Sequence, residues 1–345
     1  MSDEDHGRGG FYFGAGKVGV GPSEPIPPGV GEVQIAVSYV GICGTDLHVL
    51  HGTMDHRVSL PQVIGHEMSG TIKTVGGGVA DLSPGQKVVV RPLVSCQECP
   101  ACLAGHQHIC HRLLVLGIDA PGALQTSWTV PASLVHVVPD SVPLRTAALL
   151  EPLAVACHDV RRADLISGEK VVVLGAGPIG LLVSMVSRHK GAQVVVSDPN
   201  PARLAKAGDL GFVTAPPADL EGAVAELAGQ AGADVVFEVS GAAGAIAAAT
   251  GLLRTRGRLV IVGIHSEPHP VDLFRVFWRE LHLLGARVYE PADFEEAIEL
   301  LAEGSLSPQR LITSVVHLDE LAAALDALRS GGDQVKILVS LEGKA

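Results

Sequence analysis

The sequence has no dense cluster of basic residues, no long apolar run and no basic leader. Lysine and arginine total 25 against 37 aspartates and glutamates, which gives a formal net charge of −12. We therefore expect no nucleic-acid or anionic-membrane partner, since both attract concentrated positive charge. Apolar runs stop short of the roughly 18 residues that a transmembrane helix needs, and Met-Ser-Asp-Glu-Asp at the start is too acidic for a signal peptide. These absences predict a cytoplasmic protein.

The chain is long enough for two domains. Its 345 residues are 47% hydrophobic and include 41 glycines, so each domain can bury a core of its own. Residues 1–10 are charged and contain glycine, which predicts a mobile tail. Short apolar runs bounded by glycine or proline, at 32–37, 69–75 and 87–90, predict an irregular β-rich domain over the first 150 residues.

A glycine-rich turn joins an aliphatic run to a helical pattern. Residues 171–174 are all Val or Leu, and Gly175, Gly177 and Gly180 follow at once. This order of strand, turn and helix is typical of dinucleotide binding. The first glycine permits the tight turn, the second lets backbone approach a pyrophosphate, and the third packs the helix against the strand.

An acid follows the next aliphatic run. Asp198 stands 18 residues beyond Gly180, where the dinucleotide fold places a carboxylate against the ribose hydroxyls. It would repel a 2′-phosphate, which favours NAD over NADP, although Arg203 keeps NADP open. The alternative is an ordinary cap after the strand. The predicted cofactor contacts are Gly175, Gly177, Pro178, Ile179, Gly180, Asp198, Arg203 and Gly263.

The α/β alternation continues beyond this acid. Residues 212–213, 234–239 and 258–263 predict successive parallel strands with alanine-rich helices between them, and a last strand at 281–286 closes the domain. Asp293 and Glu296 then predict a capping box at the start of a further helix.

Four cysteines stand within fifteen residues. Cys96, Cys99, Cys102 and Cys110 can surround one tetrahedral ion, and the Pro, Gly and Gln residues around them provide no core for burial. We predict a closed structural zinc site in a lobe spanning residues 92–112. Disulfides are the alternative, which a reducing compartment disfavours.

A second group of ligand types comes earlier. Cys43 and His66 are residues that zinc prefers, and Glu67 could add a carboxylate. Taken alone, a buried cysteine and a surface His-Glu turn are the more common explanations.

Together these motifs resemble those of the zinc-dependent medium-chain dehydrogenases, and more narrowly their polyol branch of sorbitol, butanediol and threonine dehydrogenases. The resemblance runs from about residue 25 to the C-terminus. It implies an α/β protein with a GroES-like β-rich catalytic domain (1–150 and 287–345) and a Rossmann doubly wound parallel-sheet domain that binds NAD (151–286). The motifs that carry it are Cys43-Gly44-Thr45-Asp46-Leu47-His48, Gly65-His66-Glu67-Met68-Ser69-Gly70, the four-cysteine lobe, Glu151-Pro152-Leu153-Ala154-Val155 and the glycine turn.

The resemblance implies a catalytic zinc held by Cys43 and His66, with Glu67 as a third ligand or just behind one. Glu151 stands where the alcohol dehydrogenase branch has a second cysteine, which points to the polyol branch. Glu67, Glu151 and water remain candidates for the other positions.

The remaining implied site residues serve proton transfer and substrate binding. Thr45 and His48 occupy the hydroxyl and base positions of the family's proton relay. Arg287 and Tyr289 occupy the segment that contacts substrate in similar polyol enzymes, where a structural role is equally compatible.

The implied reaction is reversible oxidation of a secondary alcohol, in a polyol, diol or sugar alcohol, to its ketone. Zinc serves as Lewis acid and NAD accepts the hydride. The expected cofactors are NAD and two zinc ions per subunit. The resemblance also implies a homodimer or homotetramer, with the strand at 281–286 as the edge for pairing with a second subunit. Alternatives are a threonine-type or simple secondary-alcohol dehydrogenase, or an inactive nucleotide-binding sensor, because fold does not fix function.

Overall fold

The computed structural model describes residues 7–342, and the chain divides into two compact units. The first unit is Met1–Glu151 with Ile298–Ala345, and the second is Pro152–Ala297. The sequence predicts that the chain re-enters the first unit at residue 287, whereas in the structure it does so at Ile298. The difference has a physical reason: Asp293 is fully buried and forms ion pairs with Arg161 and His158, both in the second unit.

Strands and helices within residues 7–342 are numbered in chain order. The strands are β1 Arg8–Tyr12, β2 Val18–Pro22, β3 Glu32–Gly41, β4 Gln62–Val63, β5 Glu67–Val75, β6 Lys87–Val90, β7 Leu93–Val94, β8 Leu114–Val115, β9 Ser127–Pro131, β10 Val135–Val137, β11 Lys170–Leu174, β12 Gln193–Ser197, β13 Val213–Ala215, β14 Ala233–Glu238, β15 Leu253–Ile261, β16 His282–Gly285, β17 Ile312–His317 and β18 Lys336–Ser340. The α-helices are α1 Gly44–Leu50, α2 Pro100–Leu103, α3 Leu144–Ala147, α4 Leu150–Arg162, α5 Pro178–His189, α6 Pro201–Asp209, α7 Leu220–Ala228, α8 Ala243–Leu252, α9 Leu273–Trp278, α10 Pro291–Ala302 and α11 Leu321–Arg329. Short 3₁₀ helices lie at Gln107–Ile109, Ala132–Leu134, Gly229–Ala231, Pro308–Leu311 and Leu318–Glu320.

The first unit is built on a seven-stranded sheet. Its order is β10-β6-β5-β3-β18-β17, with β9 also paired to β3. The predicted strand at 32–37 is the start of β3, whose buried side chains join the core of this unit. Because β18 pairs with β3, residues from the two ends of the chain meet in one sheet. A smaller sheet, β2-β1-β4, contributes Tyr12 to the same core.

Strand β1 contradicts part of the predicted mobile tail. The N–H of Gly10 donates to the carbonyl oxygen of Leu124 at 2.7 Å, and β1 pairs with both β2 and β4. A side chain at Gly10 would collide with Leu321, so this glycine serves close packing here. Residues 1–6, which the same prediction covered, lie outside the described part of the chain.

The second unit is a six-stranded parallel sheet. Its order, β13-β12-β11-β14-β15-β16, is that of a doubly wound dinucleotide fold. The central strand β11 is buried from Val171 to Leu174, which accounts for its unbroken aliphatic sequence. Helices α5 to α8 alternate with these strands along the chain. Among residues 7–342, no helix combines the length and apolarity needed to cross a bilayer.

The predicted capping box at Asp293 is wrong. Helix α10 begins earlier, at Pro291, so Asp293 lies inside the first turn. Its Oδ2 accepts the N–H of Glu290 at 2.8 Å, and Glu296 instead pairs with Lys190. Asp293 therefore caps the helix from within the first turn while it holds Arg161.

Candidate catalytic and cofactor sites

Cys43, His66 and Glu67 come together in the first unit. Their ligand atoms lie within 4.8 Å of one another, and His66 and Glu67 are buried. Cys43 caps the start of α1, just after β3, while Glu67 opens the neighbouring strand β5. The residue before His66 is Gly65, whose φ of +91° favours glycine. The sheet thus joins a thiol, an imidazole and a carboxylate, a donor set suited to zinc.

Asp46 contacts the backbone of Cys43 and faces His66, a role that the sequence does not predict. Its Oδ2 accepts the N–H of Cys43 at 2.9 Å, and its Oδ1 lies 3.8 Å from Nδ1 of His66. Burial raises the pKa of Asp46. Burial lowers the pKa of His66, but Cys43 and the charge of Asp46 act more strongly and hold it well above its usual value.

The facing atoms of Asp46 and His66 test whether the site suits a metal. Oδ1 of Asp46 and Nδ1 of His66 are both buried without a hydrogen-bond partner. A carboxylate facing one imidazole nitrogen orients the other nitrogen toward a metal in many metalloproteins. The residues therefore fit a zinc ion.

Lys336 also contacts this group, which the sequence does not predict. Its ammonium forms an ion pair with Oε2 of Glu67, and both side chains are almost fully buried. Burial lowers the pKa of Lys336, but Glu67 and Cys43 outweigh this and raise it above its ordinary value. The lysine is therefore charged at neutral pH.

Glu151 lies outside the three-residue group but within its electrostatic reach. Among the described residues, the set whose ligand atoms approach within 4.8 Å contains Glu67 and not Glu151. The charge of Glu151 nevertheless acts on both His66 and Lys336. Of the two acids that the sequence left open, Glu67 has the geometry of a ligand.

Thr45 and His48 share helix α1. Oγ1 of Thr45 lies 3.7 Å from Sγ of Cys43, so a hydroxyl stands beside the three-residue group. His48 is three residues further on, which places it on the same side of the helix, and it is half-buried.

The four cysteines of the lobe also converge. The Sγ atom of Cys110 lies 3.4 Å from that of Cys96 and 3.8 Å from that of Cys99, and Cys96 and Cys102 are 4.0 Å apart. Tetrahedral zinc with bonds of about 2.3 Å to sulfur separates its ligands by about 3.8 Å. Strands β7 and β8 pair at the base of the lobe. The geometry fits one closed metal site.

Backbone amides surround these sulfur atoms. The N–H groups of Cys99, His111 and Arg112 donate to the thiols of Cys96, Cys99 and Cys110, respectively. Hydrogen bonding from the Glu98 amide lowers the pKa of Cys96 to about 6, whereas burial raises that of Cys102 to about 12. All six cysteines of the chain are free thiols, so the disulfide alternative fails.

The glycine turn in the second unit has a backbone geometry compatible with the three roles predicted from its spacing. Gly175 adopts a φ of +117°. A side chain at Gly180 would overlap the carbonyl oxygen of Gly175, whereas the same position at Gly177 faces open space. Helix α5 begins directly at Pro178, and Ile179 is partly exposed beside it. Open space at Gly177, before a helix N-terminus, is what a pyrophosphate needs.

Asp198 is buried beside this turn. Its Oδ2 accepts the N–H of Ala176 at 2.8 Å, and its Oδ1 accepts that of Asn200 at 2.8 Å. Nη1 of Arg203 lies 3.7 Å from the same carboxylate. The sequence offered ribose binding or capping; Asp198 accepts the amide of Asn200, and Asn200 is itself the cap of helix α6. Each oxygen retains acceptor capacity for a ligand.

Two other predicted contacts, Gly263 and Tyr289, have structural explanations. A side chain at Gly263 would overlap the amide nitrogen of Gly241, so packing alone requires glycine there. Tyr289 is fully buried against Phe294, with ring centroids 5.4 Å apart, which favours the structural alternative for this residue. Arg287 is exposed.

The fold and these sites define a two-unit dehydrogenase with zinc-binding and dinucleotide-binding motifs. Residues 29–140 match the family model for the alcohol dehydrogenase GroES-like domain, and residues 178–303 match that for zinc-binding dehydrogenase. The chain belongs to the zinc-dependent medium-chain dehydrogenase family and is an NAD(P)-linked dehydrogenase of alcohols or polyols. The resemblance inferred from the motifs is confirmed.

Sequence and structure relatives cover almost the whole chain. A 2-dehydro-3-deoxy-L-galactonate 5-dehydrogenase from Pseudoalteromonas atlantica is 51% identical over 95% of this chain and 97% of its own length. An L-galactonate-5-dehydrogenase from Escherichia coli is 36% identical over 84% of this chain and 85% of its own. A putative zinc-binding dehydrogenase from Sinorhizobium meliloti, solved bound to NADP, has a TM-score of 0.91 and 30% identity over 97% of this chain and 99% of its own.

Proposed function

We propose that the protein oxidises the secondary hydroxyl at C5 of a 2-dehydro-3-deoxy-galactonate or a closely related sugar acid, with NAD as hydride acceptor. The observation that carries this proposal is the 51% identity to a relative named for that reaction, over nearly the full length of both chains. A second relative is also named for dehydrogenation at position 5 of a galactonate. We therefore propose sugar acids as the substrate class within the alcohols and polyols that these relatives oxidise.

The residues for this chemistry lie in the first unit. Cys43, His66 and Glu67 would hold a zinc ion, which when bound supplies the Lewis acid that lowers the pKa of a substrate hydroxyl. Thr45, beside Cys43, would accept the hydroxyl proton and pass it toward His48. Asp46 keeps His66 oriented through the facing of Oδ1 and Nδ1. The lobe cysteines would hold a second, structural zinc.

NAD would bind the second unit. The open side of Gly177 and the N-terminus of α5 would take the pyrophosphate, with Pro178 and Ile179 beside it. Asp198 retains acceptor capacity for ribose hydroxyls, and its buried negative charge disfavours a 2′-phosphate. The guanidinium of Arg203 lies near the Asp198 carboxylate and partly offsets its negative charge.

The substrate is tested with a panel measured at the NADH or NADPH absorbance. We expect kcat/KM for 2-dehydro-3-deoxy-L-galactonate with NAD to exceed that for sorbitol, 2,3-butanediol and L-threonine by about 10²-fold or more. L-Galactonate and galactitol form a matched pair that differs at the carboxylate, and NADP replaces NAD in a parallel series. Higher kcat/KM for threonine or a simple diol would refute the substrate assignment. No turnover by zinc-loaded protein would favour the sensor alternative.

We further propose a homodimer formed through the edge of the parallel sheet. Leu273, Phe274, Phe277 and Trp278 of α9 are each at least 70% exposed, and the rings of Phe274 and Trp278 stack at 5.7 Å. Strand β16 stands last in the sheet order. A cluster of exposed apolar side chains near an edge strand is typical of a protein interface. A second copy of the chain would cover both by twofold symmetry.

The dimer is tested with Phe277→Glu. A buried unpaired carboxylate is costly, so this substitution should convert the dimer to a monomer. Analytical ultracentrifugation at micromolar concentration measures the change. Ile166→Glu, at an exposed apolar position outside α9, is the matched control and should leave the mass unchanged. A dimer that persists in Phe277→Glu would contradict this interface.

The free thiols of the chain also fit the cytoplasm as its compartment.

A further inference from the structure

Lys336 joins two segments of the catalytic group that are far apart in sequence. Its Nζ donates to the carbonyl oxygen of Ile42 at 3.1 Å, across a sequence separation of 294 residues, and forms an ion pair with Glu67. Ile42 precedes Cys43, and Glu67 follows His66. One ammonium group therefore contacts the neighbours of both the thiol and the imidazole.

The backbone around this ion pair leaves room for nothing larger than a hydrogen at residue 41. Gly41 pairs with Glu67 across strands β3 and β5. A Cβ atom at Gly41 would overlap Oε2 of Glu67 and lie 3.0 Å from Cε of Lys336. All five residues of β18, including Lys336, are buried. The pair thus occupies a closed space, in which neither side chain can turn to solvent.

A buried lysine normally costs stability, so its presence needs a counterpart. Here the counterpart is a concentration of negative charge: Glu67 and Glu151 act on the ammonium, as does Cys43 when it is a thiolate. Removing one partner of such a buried pair leaves an uncompensated charge. With zinc bound, Glu67 would face two cations, and the ammonium already occupies one of its two oxygens.

We propose that Lys336 is a positioning residue that binds Oε2 of Glu67 and lowers the affinity of this carboxylate for the metal. The inference depends on the zinc site proposed above. Because Oε2 is engaged by the ammonium, Glu67 offers its other oxygen to the ion. The ammonium attracts the negative charge of Glu67, which a metal ion would otherwise attract alone. Glu67 would then be a weaker zinc ligand than a free carboxylate.

The test is zinc affinity, measured by equilibrium titration in chelator-buffered zinc. The catalytic-site ion is the one that binds to wild type and is missing from Cys43→Ala. We expect Lys336→Met to raise the zinc affinity of this site about tenfold or more, because the freed carboxylate then serves the metal alone. In a Glu67→Gln background the same substitution should change the affinity by less than about threefold. Cobalt substitution gives a second readout, since the visible spectrum should change in Lys336→Met.

Each outcome decides the proposal. Zinc affinity that is unchanged or lower in Lys336→Met overturns it. An equal rise in both backgrounds also overturns it, because Lys336 would then act by charge alone and not through Glu67. Lys190→Met, which breaks the half-exposed pair with Glu296 in the second unit, is the matched control and should not alter zinc affinity. If circular dichroism shows that Lys336→Met is unfolded, Lys336→Gln retains a donor for Ile42. None of these readouts requires the correct substrate, so failure of the substrate assignment would be seen separately.

Discussion

Replacing Cys43 with alanine is expected to lower kcat/KM by about 10³-fold or more with any substrate that the wild type oxidises. The thiol is the one soft ligand of the three-residue group, and without it His66 and Glu67 make a poor zinc site. The Lewis acid supplies several kcal/mol of stabilisation, and about 4 kcal/mol corresponds to about 10³-fold in rate. Steady-state kinetics with NAD, together with zinc analysis, measure the result.

Cys157→Ala is the matched control for this experiment. Cys157 is fully buried in the second unit and belongs to neither group of potential metal ligands among the described residues. It should retain both zinc ions and wild-type kcat. Cys43→Ala should retain the lobe zinc and bind NADH with nearly unchanged affinity, as followed by NADH fluorescence. Turnover close to that of wild type in Cys43→Ala would exclude the proposed metal role.

The dinucleotide-binding unit could be predicted well because its signals are local. Gly175, Gly177 and Gly180 lie within six residues; Gly175 is required by its positive φ and Gly180 by close packing against the turn. The buried parallel strands are read from unbroken aliphatic runs, since both faces of such strands are covered. The start of α10 was predicted wrongly because its first turn is fixed by a contact with a residue that is distant in sequence. Asp293 pairs with Arg161, which lies 132 residues away in sequence.

The catalytic group was only partly predictable for the same reason. Cys43 and His66 are recognisable ligand types, but their proximity becomes known only from the pairing of β3 with β5. Asp46 stood in a motif without an assigned role, although its spacing from Cys43 suits a capping contact. The sequence around Lys336 does not indicate a functional residue, because β18 has the composition of an ordinary buried strand. The partner of Lys336 becomes known only from the pairing of β18 with β3.

Replacing Cys110 with serine is expected to remove the lobe zinc and destabilise the first unit while the catalytic site still forms. Sγ of Cys110 lies closest to that of Cys96 and accepts the amide of Arg112. The lobe has only a small apolar cluster, made largely of its own cysteines, so metal binding supplies much of its folding free energy. A loss of about 4 kcal/mol would lower Tm by about 10 °C.

Thermal unfolding by circular dichroism, with zinc analysis of the same samples, measures this effect. Cys157→Ala again serves as the control, because it removes a buried thiol that lies outside the lobe. The two cysteine variants should separate cleanly: Cys43→Ala loses turnover with a small change in Tm, and Cys110→Ser loses stability with residual turnover at low temperature. If Cys110→Ser keeps both its zinc content and its Tm, the lobe has no structural metal site. Its convergent thiolates would then need a different explanation, such as packing stabilised by the amide groups that surround them.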